Sequence, residues 1–190
     1  MALHIVIGPM FSGKSSHIIR VTNRERHIGR RVLMVNHLAD TVRNPTGHVR
    51  SHDGHESTSI SVSHIGNLVL DVADWDVIAV DEGQFFEDIH KVLDFVNSGV
   101  VVYISALDGD AQQKKFGSVL DLIPHADTCI KLQALCVLCR NGTKASFTVK
   151  TCGADAQVDV GGADKYMAVC RNHLLKNELV ERCGNTEQPV

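Results

Sequence analysis

An α/β fold built on a parallel sheet is what this 190-residue sequence predicts, and three features carry the prediction. Short apolar runs alternate with stretches of helical periodicity. The first run leads directly into a glycine-rich phosphate-binding signature, and a later one ends on two adjacent carboxylates. Strands separated by helices imply crossover connections and a parallel sheet, which binds its ligands at the carboxyl ends of the strands.

Residues 3–7 (Leu-His-Ile-Val-Ile) read as the first strand. Gly8, Pro9, Met10, Phe11, Ser12, Gly13, Lys14 and Ser15 follow, and they fit G-x-x-x-x-G-K-[ST], the P-loop. Its glycines let the backbone turn N–H groups inward around phosphate oxygens, and the helix that follows adds its positive end. Lys14 then reaches the β- and γ-phosphates, and the Ser15 hydroxyl is a magnesium ligand. A helix runs from Ser15 to about residue 28 and closes at Gly29. Residues 31–35 form a second strand. Residues 36–64 are polar and read as a long mobile loop or irregular hairpin, in which His48, His52, His55 and His64 match no metal motif.

Val77–Val80 is a third, buried strand ending in Asp81 and Glu82; residues 88–97 read as helix and Ser98-Gly99 ends it. Residues 100–106 form a fourth strand, 116–123 a short helix and 129–135 a fifth strand. After Cys136 the βα rhythm gives way to cysteines, glycines and short β-like pieces. The expected organisation is a P-loop α/β domain over residues 1–135, a small lobe over 136–183 and a disordered tail over 184–190.

Composition excludes several classes. The net charge is −3 without a basic run, so no nucleic-acid partner is expected. No apolar stretch is long enough to span a bilayer, and because the chain enters a strand almost at once no signal or transit peptide is expected. Of the six cysteines, three fall with His173 in tight spacings that read as metal ligation and not as a secreted disulfide framework, which suits a reducing cytoplasmic setting.

Two constellations carry chemistry. A P-loop needs a carboxylate for magnesium at the end of a neighbouring strand, and Asp81 fits, acting through water. Glu82 beside it can serve as a general base. Its target is either water, as in a RecA-like ATPase, or a substrate hydroxyl, as in a kinase, and the motif alone does not choose. The second constellation pairs Cys136-x2-Cys139 with Cys170-x2-His173, a ligand set suited to tetrahedral structural zinc. The 30 residues between the pairs exceed ribbon spacing, so the metal would clamp the base of a long excursion.

Together the motifs resemble the type II thymidine kinases. The marks are G-P-M-F-S-G-K-S at 8–15, D-E-G-Q-F-F at 81–86, A-L-D-G at 106–109, K-x-F-G at 114–117 and G-G-A-D-K-Y at 161–166. The resemblance implies a RecA-like P-loop sheet with a zinc-bearing lasso lobe, and an enzyme that moves the γ-phosphate of ATP to the thymidine 5′-hydroxyl. It implies that Glu82 is the base and that Asp40, Arg43, Asp81 and Gln84 join the P-loop in binding ATP. The nucleoside pocket is implied at Met10, Phe85, Leu107, Phe116 and Thr148, with Gln157, Val158, Asp159, Val160 and Gly161 as the lasso and Tyr166 against the sugar. Cofactors are Mg2+ with ATP and structural Zn2+; the partner is a second copy, in a dimer or tetramer. Departures are Ala111 and Gln113, where the family has Phe and Arg, a D-x-R motif lengthened to Asp40-Thr41-Val42-Arg43 with Arg50 as competitor, and His173 for cysteine. A RecA-like ATPase and a non-catalytic nucleotide-binding zinc module are the rival readings.

Overall fold

The computed structural model describes residues 1–42, 48–50, 56–68, 74–151 and 161–176, with backbone alone at 41, 42, 48–50 and 56–58. In chain order the strands are β1 (Ala2–Gly8), β2 (Val32–His37), β3 (His48–Arg50), β4 (Glu56–Thr58), β5 (Ile60–Val62), β6 (Val77–Val80), β7 (Val101–Leu107), β8 (Thr128–Lys131), β9 (Ala134–Leu135), β10 (Lys144–Ala145), β11 (Phe147–Lys150) and β12 (Tyr166–Val169). The α-helices are α1 (Lys14–His27), α2 (Val92–Asn97) and α3 (Arg171–Lys176). No described helix is long and apolar enough to cross a membrane.

Six strands form one sheet in the order β5-β2-β6-β7-β1-β8, and every pairing in it is parallel. The fold is therefore α/β, as the alternation predicts. β6 is buried along its whole length, which is why it reads as an uninterrupted apolar run. Leu3, Ile5, Ile7, Ile78, Val80, Val102 and Ile104 pack in the main core. On the other face, Ile18 and Ile19 of α1 cover Met34 and Ala79. Thr22, buried in that contact, satisfies its hydroxyl on the Ile18 and Ile19 carbonyls. Because the strands run parallel, the ends of β1, β2, β6 and β7 share one edge, where the P-loop, Asp81-Glu82 and Leu107 meet.

Several elements differ from the sequence reading. The expected fifth strand splits: β8 follows β1 as far as Leu132, whose N–H reaches the Ile7 carbonyl at 2.8 Å. The chain then leaves the sheet, and β9 pairs antiparallel with β10 instead. β8 is exposed throughout, so apolar continuity into β9 did not mark one buried strand. β5 was hidden in the polar region; its three residues add parallel to β2. Backbone hairpin β3–β4 precedes it, while His52 and His55 lie outside the described residues. The helix expected at 88–97 is a 3-10 turn, Ile89–Lys91, before α2. The one expected at 116–123 is 3-10, Val119–His125, with Pro124 inside it, since proline removes a helical donor.

The chain after β8 has a separate small core of Ala134, Cys136, Ala145, Val149, Ala168, Val169 and Cys170, with Phe11 of the P-loop packed against it. β11 and β12 form its antiparallel pair.

Candidate active site and metal centre

β1 ends in Gly8, whose φ is 151° and whose added Cβ would run into the Leu132 carbonyl; only glycine turns the chain there. The loop then closes on itself. Ser12 Oγ donates to the Pro9 carbonyl at 2.8 Å, and Lys14 Nζ donates to the same oxygen at 2.7 Å. Gly13, in the left-handed region at φ 80°, precedes α1, and the His17 N–H returns to its carbonyl. A cleft of about 940 Å³ runs from Ser12 and Gly13 along α1, past Ser16, His17 and Arg20. The Met10 N–H donates to Thr148 Oγ1 on β11 at 2.9 Å, so the small lobe is tied to the P-loop.

Asp81 follows β6 and is 2% exposed. Ser105 of β7 donates to its Oδ1, and Ser15 hydrogen-bonds it as well. Burial pushes the Asp81 carboxyl up to about 7; the charges of Glu82 and Asp40 act in the same direction, and the two serine hydroxyls oppose them. A buried carboxylate with two other acidic side chains nearby favours a cation or a proton. Asp40 is itself buried, accepting from Asn36 Nδ2 at 3.3 Å.

Glu82 sits in the left-handed region, φ 54° and ψ 41°, an uncommon setting for a side-chain-bearing residue and one that clusters at functional sites. Gln84 donates to its carboxylate, and accepts from the Leu107 N–H. Phe85 meets Phe116 edge-on at 5.8 Å. His37, at the end of β2, packs edge-on against Phe86 at 4.7 Å. Its Nδ1 accepts the Ala39 N–H, so Nε2 carries the proton and donates to the Ser63 carbonyl. Burial holds its pKa below the usual histidine value, assisted by His64 and opposed by the Ser63 carbonyl and Asp88.

The structure thus brings Ser15 to Asp81, Gln84 to Glu82 and Leu107, Phe85 to Phe116, and Met10 to Thr148. Tyr166 is buried on β12, with Lys150 Nζ 5.9 Å from its ring centre. Gly161 lies in ordinary φ space; a Cβ there would strike the Lys165 stem. Arg43, Gln157, Val158, Asp159 and Val160 lie outside the described residues, as does the Arg50 side chain. Sequence reasoning missed Ser105 and His37. Ser105 had a signal: a small hydroxyl residue on a strand whose other members are aliphatic apart from Tyr103. His37 had none beyond its place at a strand end.

Cys136, Cys139, Cys170 and His173 converge, their ligand atoms all within 4.8 Å of one another. Tetrahedral zinc, with Zn–S of about 2.3 Å and Zn–N of about 2.05 Å, needs sulfurs about 3.8 Å apart and sulfur–nitrogen edges of about 3.6 Å. The Cys139–Cys170 sulfurs are 3.8 Å apart, and His173 Nδ1 stands 3.6, 3.5 and 3.3 Å from the sulfurs of Cys136, Cys139 and Cys170. These four edges match such an ion to within about 0.3 Å, and the remaining ligand pairs lie within 4.8 Å, so the set suits tetrahedral zinc. Burial pushes the Cys136 thiol up, but N–H groups of Cys170, Cys139 and Leu138 outweigh it and bring it down to about 6, favouring the thiolate that metals bind.

Residues 1–174 match the family model described as thymidine kinase. The chain is 40% identical over 189 residues to thymidine kinase a of Arabidopsis thaliana, covering 94% of this chain and 77% of that one. It is 40% identical to the cytosolic thymidine kinase of Gallus gallus, over 89% of this chain and 75% of the relative. With the thymidine kinase of raccoon poxvirus the identity is 37%, over 89% and 94%.

Proposed function

Because this chain belongs to the thymidine kinase family, we propose that it transfers the γ-phosphate of ATP to the 5′-hydroxyl of thymidine, giving dTMP and ADP. One observation carries the reading: a P-loop closing β1 and a carboxylate pair closing β6 lie on the same sheet edge, with only β7 between those strands.

The P-loop amides and Lys14 hold the β- and γ-phosphates. The Ser15 hydroxyl and the Asp81 carboxylate, already hydrogen-bonded to each other, are suited to hold Mg2+, which would neutralise charge on the transferring phosphoryl group. Glu82 takes the proton from the 5′-hydroxyl as its oxygen bonds to the γ-phosphorus and the bond to the β–γ bridging oxygen breaks. Asp40, with Arg43 or Arg50, completes the phosphate environment. Met10, Phe85, Leu107, Phe116 and Thr148 line the nucleoside pocket, with Gln157, Val158, Asp159, Val160 and Gly161 reading the base edge and Tyr166 at the sugar. A pocket built to pair with one base rejects another by leaving its own polar groups unmatched.

Zinc at Cys136, Cys139, Cys170 and His173 is structural, because four protein ligands leave no open position. It would hold together the lobe of residues 136–183, distinct from the kinase domain of 1–135. We take the enzyme to be a cytoplasmic homo-oligomer, a dimer or tetramer, as its resemblance to type II enzymes implies.

The deciding assay follows ATP consumption and dTMP formation with and without thymidine. Thymidine-dependent turnover supports the reading. ATP hydrolysis indifferent to thymidine would make the chain an ATPase, and neither activity would leave a nucleotide-binding module. Comparable rates on purine deoxynucleosides would mean the lasso reads nothing. Glu82→Gln should cost roughly a hundredfold or more in turnover with little change in either KM; near-normal turnover would remove Glu82 from its role.

A further inference from the structure

We infer that Gln84 is a positioning residue for the Glu82 carboxylate, which deepens the proposed function and rests on its assignment of Glu82 as the base. The resemblance alone places Gln84 among the phosphate-binding residues. Its geometry points elsewhere.

Gln84 is 4% exposed, and both ends of its amide are committed within the protein. Oε1 accepts the Leu107 N–H at 2.9 Å, and Nε2 donates to Glu82 Oε2 at 2.5 Å. These two partners key the amide. A backbone N–H can only donate and a carboxylate can only accept, so turning the group over would set donor against donor and oxygen against oxygen. Leu107 ends β7, a central strand of the sheet. Through Gln84, the flexible Glu82 side chain is therefore referred to a rigid backbone position.

The backbone around Gln84 is held just as closely. A side chain on Gly117, at φ 65°, would strike the Gln84 carbonyl, and one on Gly83 would meet the Ile104 methyl at 2.8 Å. Both neighbours must be glycine for the turn of Gly83–Phe85 to lie against β7 and the 116–118 bend. Glu82 enters that turn in the left-handed conformation, which swings its side chain out of the strand direction. The hydrogen bond from Gln84 engages Oε2, and proton transfer falls to Oε1. A base held this way needs no reorganisation when the hydroxyl arrives, and misplacement by about 1 Å can cost on the order of a hundredfold.

The test is a double-mutant cycle in the full chain, with Mg-ATP and thymidine: Gln84→Met, which keeps length and loses both hydrogen bonds, Glu82→Gln, and the pair together. Gln84→Met should lower kcat by roughly tenfold to a hundredfold, with KM for ATP and for thymidine each within about twofold. In the Glu82→Gln background the same change should move the residual kcat by less than about twofold, because there is no base left to position. Should Gln84→Met fold poorly, Gln84→Glu serves: it can still accept from Leu107 but sets a carboxylate against Glu82, and kcat should fall in the same pattern. A raised ATP KM with unchanged kcat would restore the phosphate-contact role and overturn the inference. So would an equal loss in both backgrounds, the mark of a merely structural residue. If Glu82→Gln itself kept its turnover, the base assignment would fall, and this inference with it.

Discussion

Asp81→Asn should stabilise the protein at neutral pH while abolishing most activity, because the carboxylate is kept at a cost to the fold. Asp81 is 2% exposed, and burial, then Glu82 and Asp40, raise it from 3.8 to about 7. The sign follows from proton linkage. Between those values the folded state binds the proton more tightly than the unfolded chain, so stability is greatest below pH 3.8, falls as pH rises, and levels off above about 7. Each unit of offset is about 1.4 kcal/mol, and an offset of roughly three units sets a ceiling of about 4 kcal/mol. Asparagine carries no charge and still accepts from Ser105 and Ser15. Urea denaturation of both proteins from pH 4 to 8, without nucleotide or magnesium, should therefore show a gap that is small at pH 4 and opens to about 2–4 kcal/mol in favour of Asp81→Asn by pH 8. Mg2+ with ATP should narrow it by compensating the charge. A pH-independent gap, or a variant less stable than the parent at pH 8, would refute the reasoning.

Cys139→Ser should remove the metal, found by elemental analysis at about one zinc per chain in the parent, and lower the thermal midpoint because folding of the lobe is coupled to the ion; a stable, active, zinc-free protein would contradict it. Burial, the largest cause, holds the His37 pKa below its unfolded value, so the stability linked to it is complete above pH 6.5 and is lost as pH falls below that value. In thermal melts His37→Gln should gain on the parent as pH falls below 6.5; a difference between the two that does not change with pH would exclude this contribution. Gly117→Ala combines a left-handed φ with a collision on the Gln84 carbonyl and should cost more than about 2 kcal/mol in urea denaturation, whereas a near-neutral effect would show that the 116–118 bend yields.

What the sequence determined by itself was whatever depends on neighbouring residues. The P-loop is legible because eight consecutive positions must curl around one anion. Asp81-Glu82 is legible because a fully buried strand shows as an apolar run and its polar end stands out. The zinc ligands are legible as two tight pairs, whose 30-residue separation does not matter once an ion can bind both.

The tertiary structure decided which of these residues act on one another. Ser105 reaches Asp81 only because β6 and β7 are adjacent and in register, Val80 against Ile104. Thr148 meets the Met10 N–H across 138 positions. Gln84 faces Glu82 with its nitrogen only because Leu107, 23 residues on, presents an N–H to its oxygen. β5 and the break between β8 and β9 were equally out of reach, since three residues carry too little periodicity to announce a strand and an exposed edge does not read as an end. Hydrogen bonds are short and directional. Chemistry that rests on them passes from sequence to site only after the sheet has set the register.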